Sequence, residues 1–268
     1  MRVLEPPCYI VSDLHLGAAE PGVERRFVAF ADHVAAAGGS LVVNGDLFDF
    51  WFEWRTVIPR TGYRALAALA RLRELGRPVL WLAGNHDCWG GEVLREDVGV
   101  EFVDEWRGYL AGWDTFIHHG DGLREVEDRR YRRLRTVLRH PMSIRAFRWL
   151  HPDWGSRLAT GSSAASRNHA DHAHDEGEGL RRVAFDMMGE PRGPELVVFG
   201  HSHVAALDRG PRGGIYANAG SWLDAFTYLR VTADRVELRR LGDAGTSAGE
   251  GECLHVLDRG TEESLAES

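Results

Sequence analysis

The sequence lacks lysine entirely: all 32 of its basic residues are arginine. GC-rich coding is sufficient to explain this bias, but the bias has a chemical consequence. Any cationic side chain that binds a phosphate here must be an arginine, whose planar guanidinium group contacts two oxygen atoms at once. The formal net charge is −8, which disfavours general binding to nucleic acid, so we expect no nucleic-acid partner.

Cysteine and long apolar segments are also scarce. Cys8, Cys88 and Cys253 are odd in number and far apart, which argues against a disulfide framework and for a reducing compartment. No apolar stretch approaches the roughly 20 residues that cross a membrane, and residues 1–4 lead into strand-like sequence without a signal peptide. We therefore expect a cytoplasmic protein. With 268 residues, 44% of them hydrophobic, the chain suits one α/β domain with an insertion.

Five short polar motifs each follow an apolar run that is typical of a buried strand. The apolar runs cover residues 9–11, 41–43, 79–83, 115–117 and 196–199. The motifs are, in chain order, Asp13-x-His15, Gly45-Asp46-x-x-Asp49, Gly84-Asn85-His86-Asp87, His119-Gly120-Asp121 and Gly200-His201-x-His203. Because the carboxyl ends of neighbouring strands meet at one edge of an open α/β sheet, we expect these side chains to converge.

The side chains of these motifs are oxygen and imidazole ligands, which suit borderline divalent ions such as Mn, Fe, Co or Zn. A single Asp-x-His, or one histidine after a strand, is more often a satisfied structural residue than a metal ligand. Five motifs in order, each at a strand end, favour a site for two ions. Such ions lie about 3.5–4 Å apart in two-metal hydrolases and clamp a phosphate between them.

Helical patterns alternate with the predicted strands. Residues 23–37 and 63–75 carry apolar residues at helical spacing, and a glycine follows each segment. Further along the chain, short strands are predicted at residues 215–218, 226–231 and 235–240. Strands that alternate with helices indicate a layered α/β fold.

Residues 124–157 interrupt this pattern with a basic, amphipathic segment. They contain ten arginines and four acidic residues, a local charge of +6 in a chain of −8, interleaved with aromatic and aliphatic residues. A solvated helical hairpin that packs its apolar side on the body would explain this composition. A lid that accepts acyl chains and touches anionic membrane lipid would also explain it.

The five motifs resemble those of the calcineurin-like metallophosphoesterases, over about residues 8–241. Within that family the sequence is most similar to the UDP-2,3-diacylglucosamine diphosphatases of lipid A biosynthesis. Many of these carry arginine at the position of His86, although the Gly-Asn-His-Asp form also occurs among them. The residues that carry the closer resemblance are Ser12-Asp13-Leu14-His15-Leu16-Gly17, Gly45-Asp46-Leu47-Phe48-Asp49-Phe50-Trp51-Phe52-Glu53, His119-Gly120-Asp121-Gly122-Leu123, Asp128-x-x-Tyr131, Leu150-His151-Pro152-Asp153, Gly220-Ser221-Trp222 and Phe226-Thr227-Tyr228.

The resemblance implies an α/β fold: a four-layer αββα metallophosphoesterase sandwich with a helical lid insertion. We place the metallophosphoesterase domain at residues 1–242, with the lid insertion at about residues 124–170. Residues 243–268 mix glycine, serine and acidic residues, and we predict that they form a disordered acidic tail.

The resemblance also implies two divalent metal ions, and we expect Mn²⁺. Asp46 would be the carboxylate that both ions share. The remaining ligands would be Asp13, His15 and His203 for the first ion, and Asn85, His119 and His201 for the second.

His86 is the best candidate for a catalytic histidine, since it lies next to Asn85. It would donate a proton to a phosphoryl oxygen or to the leaving group in the transition state. Asp49 lies three residues after Asp46 and can reach that imidazole to fix its tautomer. The alternative is that His86 is a structural histidine in a turn after a strand.

The substrate that the resemblance implies is a lipid-linked nucleotide sugar. The reaction would cleave the diphosphate of UDP-2,3-diacylglucosamine to UMP and 2,3-diacylglucosamine 1-phosphate. Asp128 and Tyr131 would contact the acylglucosamine, and Arg167 the nucleotide diphosphate. We expect the enzyme in the cytoplasm, peripheral on the inner membrane. Two alternatives stay open: another phosphoesterase, such as a nucleotide phosphodiesterase or phosphoprotein phosphatase, and a non-catalytic binding scaffold of the same fold.

Overall fold

A computed structural model of the chain describes residues 2–125, 128–158, 177–242 and 250–260. Its helices are α1 (Pro21–Ala36), α2 (Tyr63–Glu74), α3 (Arg129–Leu138), α4 (Pro141–Arg148), α5 (residues 152–158) and α6 (Glu178–Gly189). Its strands are β1 (Val3–Leu4), β2 (Cys8–Val11), β3 (Ser40–Asn44), β4 (Val79–Leu82), β5 (Glu101–Val103), β6 (Glu105–Leu110), β7 (Trp113–His118), β8 (Leu196–Phe199), β9 (Ala206–Arg209), β10 (Ile215–Asn218), β11 (Thr227–Val231), β12 (Arg235–Arg240) and β13 (Glu252–Asp258).

The strands form two mixed sheets. One has the order β13-β12-β11-β2-β3-β4-β5, and the other has the order β1-β6-β7-β8-β10-β9. Strands β2 to β5 pair in parallel in the first sheet, and β7, β8 and β10 pair in parallel in the second. Parallel pairing places the carboxyl ends of β2, β3 and β4 at one edge, and those of β7 and β8 likewise.

Alternation along the strands divides their side chains between two apolar layers. In β2, Tyr9 and Val11 face the layer that contains α1 and α2, whereas Cys8 and Ile10 face the layer between the sheets. On the outside of the second sheet, α6 packs against β8 and β10. The order helix, sheet, sheet, helix is the predicted four-layer αββα sandwich, and the predicted α/β class is therefore confirmed.

The helices of the first layer match their predicted positions within two residues at each end. In α1, Phe27, Phe30 and Val34 are buried at helical spacing. The helix begins at a proline, which is favoured in the first turn. The chain then reverses at Gly38, whose φ of 73° suits glycine.

The described part of the insertion after β7 contains three helices, α3, α4 and α5, joined by short turns. Its apolar attachment to the body lies in α4, where Ile144 and Phe147 pack against Phe50, Phe52 and Trp54. Residues 159–170 of the predicted lid lie outside the described residues, and so the boundaries of that insertion stay a prediction.

The prediction of a disordered tail over residues 243–268 is wrong for residues 252–258. These residues form β13, which pairs antiparallel with β12 and is an edge strand of the seven-stranded sheet. The strand was not predicted because the glycine, serine and acidic residues that dominate the tail outnumber this short run of strand-forming residues. Its Leu257 packs against the core between the sheets. Residues 243–249 and 261–268 lie outside the described residues.

Candidate metal centre

The five polar motifs converge where the carboxyl ends of the two sheets face each other. Three motifs follow β2, β3 and β4 in one sheet, and two follow β7 and β8 in the other. Among the described residues, three groups of side chains present ligand atoms within 4.8 Å of one another. The first two consist of predicted ligands: Asp13, His15 and His203, and Asp46, His119 and His201. The third is His15, Asp49 and His86. The convergence predicted from the motifs is therefore present.

In the first group, two imidazole nitrogens and one carboxylate oxygen surround a common point. Nε2 of His15 lies 3.1 Å from Nε2 of His203. Nε2 of His203 lies 3.3 Å from Oδ1 of Asp13. Separations of about 3 Å suit ligands that each lie about 2.0–2.2 Å from one ion. Oδ1 of Asp13 is buried and has no hydrogen-bond partner among the described residues, so this donor set fits a divalent cation.

In the second group, Asp46 lies between the two sets of ligands. Its Oδ2 is 3.3 Å from Nε2 of His119 and 3.9 Å from Nε2 of His15. Oδ1 of Asn85 is 3.3 Å from Nε2 of His119. A carboxylate in this position is able to serve both groups, as the sequence predicted for Asp46.

Hydrogen bonds outside the two groups orient these ligands. Nδ1 of His119 is 2.8 Å from the carbonyl oxygen of Asn44. Nδ1 therefore carries a proton, which leaves Nε2 to face the centre and to offer its lone pair to a bound metal ion. Oδ2 of Asp13 accepts from the backbone N–H of His201 at 3.0 Å and from the hydroxyl of Ser12. These contacts leave Oδ1 of Asp13 facing the centre.

Backbone strain is concentrated at this centre. Positive φ values, which cost non-glycine residues about 1–3 kcal/mol each, persist only where the surroundings enforce them. Five of the seven predicted ligands have such values: Asp13 (54°), His15 (47°), Asp46 (52°), His201 (63°) and His203 (60°). Strain shared by so many neighbouring polar residues indicates a functional rather than a merely structural cluster.

Two glycines of the motifs permit the close approach of the loops. A Cβ atom at Gly45 would lie 2.3 Å from Nδ1 of His119, and one at Gly84 would lie 2.1 Å from Oδ1 of Asp46. Both contacts are far shorter than van der Waals distance. The glycine before each ligand is therefore required by packing as well as by the turn.

The buried carboxylates favour positive charge at the centre. Burial by itself raises the pKa of Asp46, but the imidazoles of His119 and His86 outweigh burial and hold that pKa well below its ordinary value. Burial lowers the pKa of His119, but Asp46 and Asp13 outweigh it and raise that pKa well above its ordinary value. An electrostatic environment that stabilises a cation is the environment that a divalent metal ion needs.

Asp87 joins two of the motifs, a role that the sequence analysis did not assign. Its carboxylate accepts from the backbone N–H of Gly84 and of Leu47, each at 2.8 Å. Burial and the charge of Asp46 raise its pKa to about 7. Its place at the end of the third motif pointed to it, but its partner Leu47 lies 40 residues away in sequence.

His86 faces the centre, and the backbone of Asp49 holds it. Nδ1 of His86 is 3.0 Å from the carbonyl oxygen of Asp49 and 3.6 Å from its Oδ1. The carboxylate of Asp49 therefore lies within reach of the imidazole, as expected, and the carbonyl oxygen of the same residue makes the shorter contact. Oδ1 of Asp49 also lies 3.7 Å from Nδ1 of His15, so this carboxylate stands between two imidazoles.

The predicted substrate contacts differ in their placement. The carboxylate of Asp128 is buried in an ion pair with Arg124, with Oδ1 2.9 Å from Nη2. The hydroxyl of Tyr131 donates to Oδ2 of Asp121 at 2.7 Å, which places Tyr131 beside the fourth motif. Arg167 lies outside the described residues.

A sequence model of one family, described as calcineurin-like phosphoesterase, matches residues 6–205. The chain belongs to the calcineurin-like phosphoesterases. This finding confirms the resemblance that the motifs predicted. Together with the grouped His and Asp side chains, it identifies the chain as a metal-dependent hydrolase.

Relatives with assigned activities are similar to this phosphoesterase over most of its length. It is 31% identical over 216 residues to the UDP-2,3-diacylglucosamine hydrolase of Porphyromonas gingivalis, with 73% of this chain and 82% of that protein covered. It is 29% identical over 245 residues to the UDP-2,3-diacylglucosamine hydrolase of Xanthomonas axonopodis pv. citri, with 86% and 97% covered.

Solved structures are similar to this chain at lower sequence identity. A dimetal phosphatase from Danio rerio is 11% identical and aligns with a TM-score of 0.46, covering 94% of this chain and 98% of that one. A Vps29 mutant from Entamoeba histolytica is 14% identical, with a TM-score of 0.44 and the same coverage. At these values neither neighbour informs on function.

We predict that Asp46→Ala removes metal from this phosphoesterase, because it deletes the carboxylate that faces both ligand groups. Metal content, measured by mass spectrometry after extensive dialysis, should fall, and turnover should decrease by more than about 100-fold. Asp234→Ala is the control, since Asp234 is exposed in the turn before β12, at the opposite edge of the sheet. Full metal content in the Asp46→Ala protein would contradict the shared-ligand assignment.

Proposed function

We propose that this phosphoesterase cleaves the diphosphate of UDP-2,3-diacylglucosamine to UMP and 2,3-diacylglucosamine 1-phosphate. The named relatives support this assignment. The observation that carries it is a groove of about 710 Å³ between the lid and the loop after Asp49. Its walls include Trp54, Trp149, Arg55 and Arg148, and these groups suit the acyl part of an anionic substrate whose diphosphate would bind at the metal centre.

In this proposal two divalent cations, expected to be Mn²⁺, are bound by the seven ligands predicted from the motifs. When bound, they supply charge neutralisation at the diphosphate and activation of a water molecule. Asp46 would hold both ions. The first ion would also be bound by Asp13, His15 and His203, and the second by Asn85, His119 and His201. The amide oxygen of Asn85 adds no charge, so the centre does not repel an anionic substrate.

His86 is proposed to assist the departure of the leaving group. Because its Nδ1–H donates to the carbonyl oxygen of Asp49, its Nε2 donates a proton only when the ring is protonated. Nε2 lies 3.9 Å from Oδ2 of Asp46, so it points into the centre. Transfer of that proton to the leaving oxygen would leave the neutral imidazole still bonded to Asp49.

We expect His86→Ala to lower kcat by about 10²–10⁴-fold, the effect of removing a positioned acid or oxyanion donor. Metal content should be unchanged, because His86 is not a ligand in this assignment. His255→Ala, at an exposed histidine of β13, is the matched control. Loss of metal together with activity would show that His86 is instead a ligand.

The acyl chains provide the sharpest test of the substrate. Each methylene that the lid buries should contribute about 0.8 kcal/mol. Shortening both chains by several carbons should therefore lower kcat/KM by orders of magnitude, measured by release of UMP. An enzyme that hydrolyses the deacylated and diacylated sugar nucleotides equally well would contradict the lipid substrate. A simple aryl phosphodiester serves as the reference for general phosphoesterase activity.

Within the lid, Tyr131 and Asp128 are proposed to contact the acylglucosamine, and Arg167 the nucleotide diphosphate. The hydroxyl of Tyr131 lies beside the fourth motif, which supports its part. Asp128 would make its contact with the acylglucosamine while it remains paired with Arg124. A nucleotide phosphodiesterase or a phosphoprotein phosphatase is less well supported, because such an enzyme does not need an apolar lid. A non-catalytic binding scaffold is also less well supported, because the set of predicted metal ligands is intact.

The tip of the lid is proposed to rest on anionic lipid at the cytoplasmic face of the inner membrane. Met142, Trp149 and Trp154 are 70%, 90% and 72% exposed, and Arg145 and Arg148 lie between them in sequence. Exposed aromatic residues beside arginines suit the interface of an anionic bilayer. Among the described residues, no helix is long and apolar enough to cross a membrane.

We predict that replacing both Trp149 and Trp154 by serine weakens binding to phosphatidylglycerol vesicles by at least about tenfold, or roughly 1.4 kcal/mol. Sedimentation of the protein with the vesicles measures this binding. Leu75→Ser is the control, because Leu75 is 54% exposed but lies between α2 and the start of β4, at the end of the sheet away from the metal centre. Equal binding by all three proteins would contradict a membrane contact at the lid.

A further inference from the structure

One buried carboxylate of the body contacts several side chains of the first lid helix, α3. Asp121, two residues after His119, has no exposed surface. Its Oδ2 accepts a hydrogen bond from the hydroxyl of Tyr131 at 2.7 Å. The same oxygen lies 3.3 Å from Nε of Arg135 and 3.7 Å from Nη2 of Arg139. Three side chains of one helical segment therefore approach a single carboxylate oxygen of the fourth motif, Tyr131 through a hydrogen bond and the two arginines through ion pairs.

The spacing of these three residues places them on one side of the helix. Tyr131, Arg135 and Arg139 are four residues apart, so their side chains lie one above the other. Two apolar residues of α3 lie away from this side, with Leu134 52% exposed and Val137 59% exposed, whereas Leu138 lies on it, three residues after Arg135, and is half-buried. Polar contacts therefore contribute to the attachment of this face of α3 to the body.

The second lid helix is attached differently. Ile144 and Phe147 of α4 pack into the apolar cluster with Phe50, Phe52 and Trp54. Burial of this kind is not directional, whereas hydrogen bonds and ion pairs to one carboxylate fix the rotation of α3. The lid therefore has an apolar attachment at α4 and an orienting attachment at α3.

The C-terminal end of α3 is also tied to the third motif. The indole Nε1–H of Trp89, two residues after Asp87, donates to the carbonyl oxygen of Leu138 at 3.0 Å. Arg139 in addition forms an ion pair with Asp104, with Nη1 2.5 Å from Oδ1. Both the third and the fourth motif loops thus make direct contact with α3.

We propose that Asp121 is the positioning residue that fixes α3, and with it Tyr131, next to the metal centre. This inference rests on the proposed function, in which Tyr131 contacts the acylglucosamine. Without the charge of Asp121, Arg135 and Arg139 lose their common partner and α3 loses its defined rotation. Binding of the lipid substrate should then weaken, while the chemistry at the centre continues.

The test is Asp121→Asn, which keeps an oxygen that accepts from Tyr131 but removes the charge opposite Arg135 and Arg139. KM for UDP-2,3-diacylglucosamine should rise about tenfold, as for loss of one hydrogen bond to a charged group. Metal content, kcat, and kcat/KM for the aryl phosphodiester should stay near their original values. Hydrogen exchange of the α3 amides should become faster.

Two further variants separate this role from a general loss of stability. Arg135→Gln should reproduce both effects, and the double variant should add little to Asp121→Asn, because the two residues act through one contact. Arg133→Gln makes the same change of charge on the exposed side of α3 and should alter neither KM nor hydrogen exchange.

Loss of metal and of kcat with both substrates in Asp121→Asn would place Asp121 in the metal centre and overturn the proposal. Unchanged KM and unchanged exchange of α3 would overturn it as well. Failure of the proposed function is distinguishable, since the unaltered protein would then release no UMP. The exchange comparison between Asp121→Asn and Arg133→Gln would still decide whether Asp121 fixes α3.

Discussion

The structure depends on one electrostatic constraint: acidic and imidazole side chains are buried together where the ends of two sheets face each other. Asp13 and His15 have no exposed surface, and Asp46 is 1% exposed. Burying an ionised carboxylate costs several kcal/mol unless a partner of opposite charge compensates. Partly protonated histidines meet some of this need, and a pair of divalent cations meets it better. The strained backbone at five of the ligands adds to the cost, and it is stable only because the sheets on both sides are rigid.

The metal centre was predictable from the sequence because each of its motifs is local. A buried strand followed by a turn with a glycine and a ligand is recognisable in a few residues, and the parallel order of β2, β3 and β4 then brings the ligands together. The same local logic predicted α1 and α2. Strands β5, β6 and β9 were missed because none of them contains the continuous apolar run by which the strands before the five motifs were recognised. Strand β13 was missed because the tail was interpreted from its average composition, which hid the pattern of the seven residues that form the strand.

Contacts between distant residues were not predictable in this way. Asp87 stood in a recognised motif, but its role depends on backbone groups of the neighbouring loop. The carboxylate of Asp49 was expected to orient His86, yet the carbonyl oxygen of the same residue makes the shorter contact. Asp128 was expected to face substrate, and its nearest partner is Arg124. In each case the residue was identified from the sequence, but its partner became apparent only from the folded chain.

In the proposed function, the lid would link the substrate to the centre through two kinds of contact. The apolar cluster around Phe147 holds α4 in place, and the carboxylate of Asp121 orients α3. Since Asp121 belongs to the same motif as His119, the orientation of the lid and the geometry of the metal ligands are set by one turn of the chain. This arrangement would let a single scaffold combine phosphoester chemistry with selection of a lipid-linked substrate.

We propose that two divalent ions share Asp46, and anomalous diffraction from crystals grown with Mn²⁺ would locate both ions. Two anomalous peaks about 3.5–4 Å apart are expected, with a carboxylate oxygen of Asp46 bound to both. Asp13, His15 and His203 should lie on one side, and Asn85, His119 and His201 on the other. A single peak, or two peaks that do not share Asp46, would contradict this proposal.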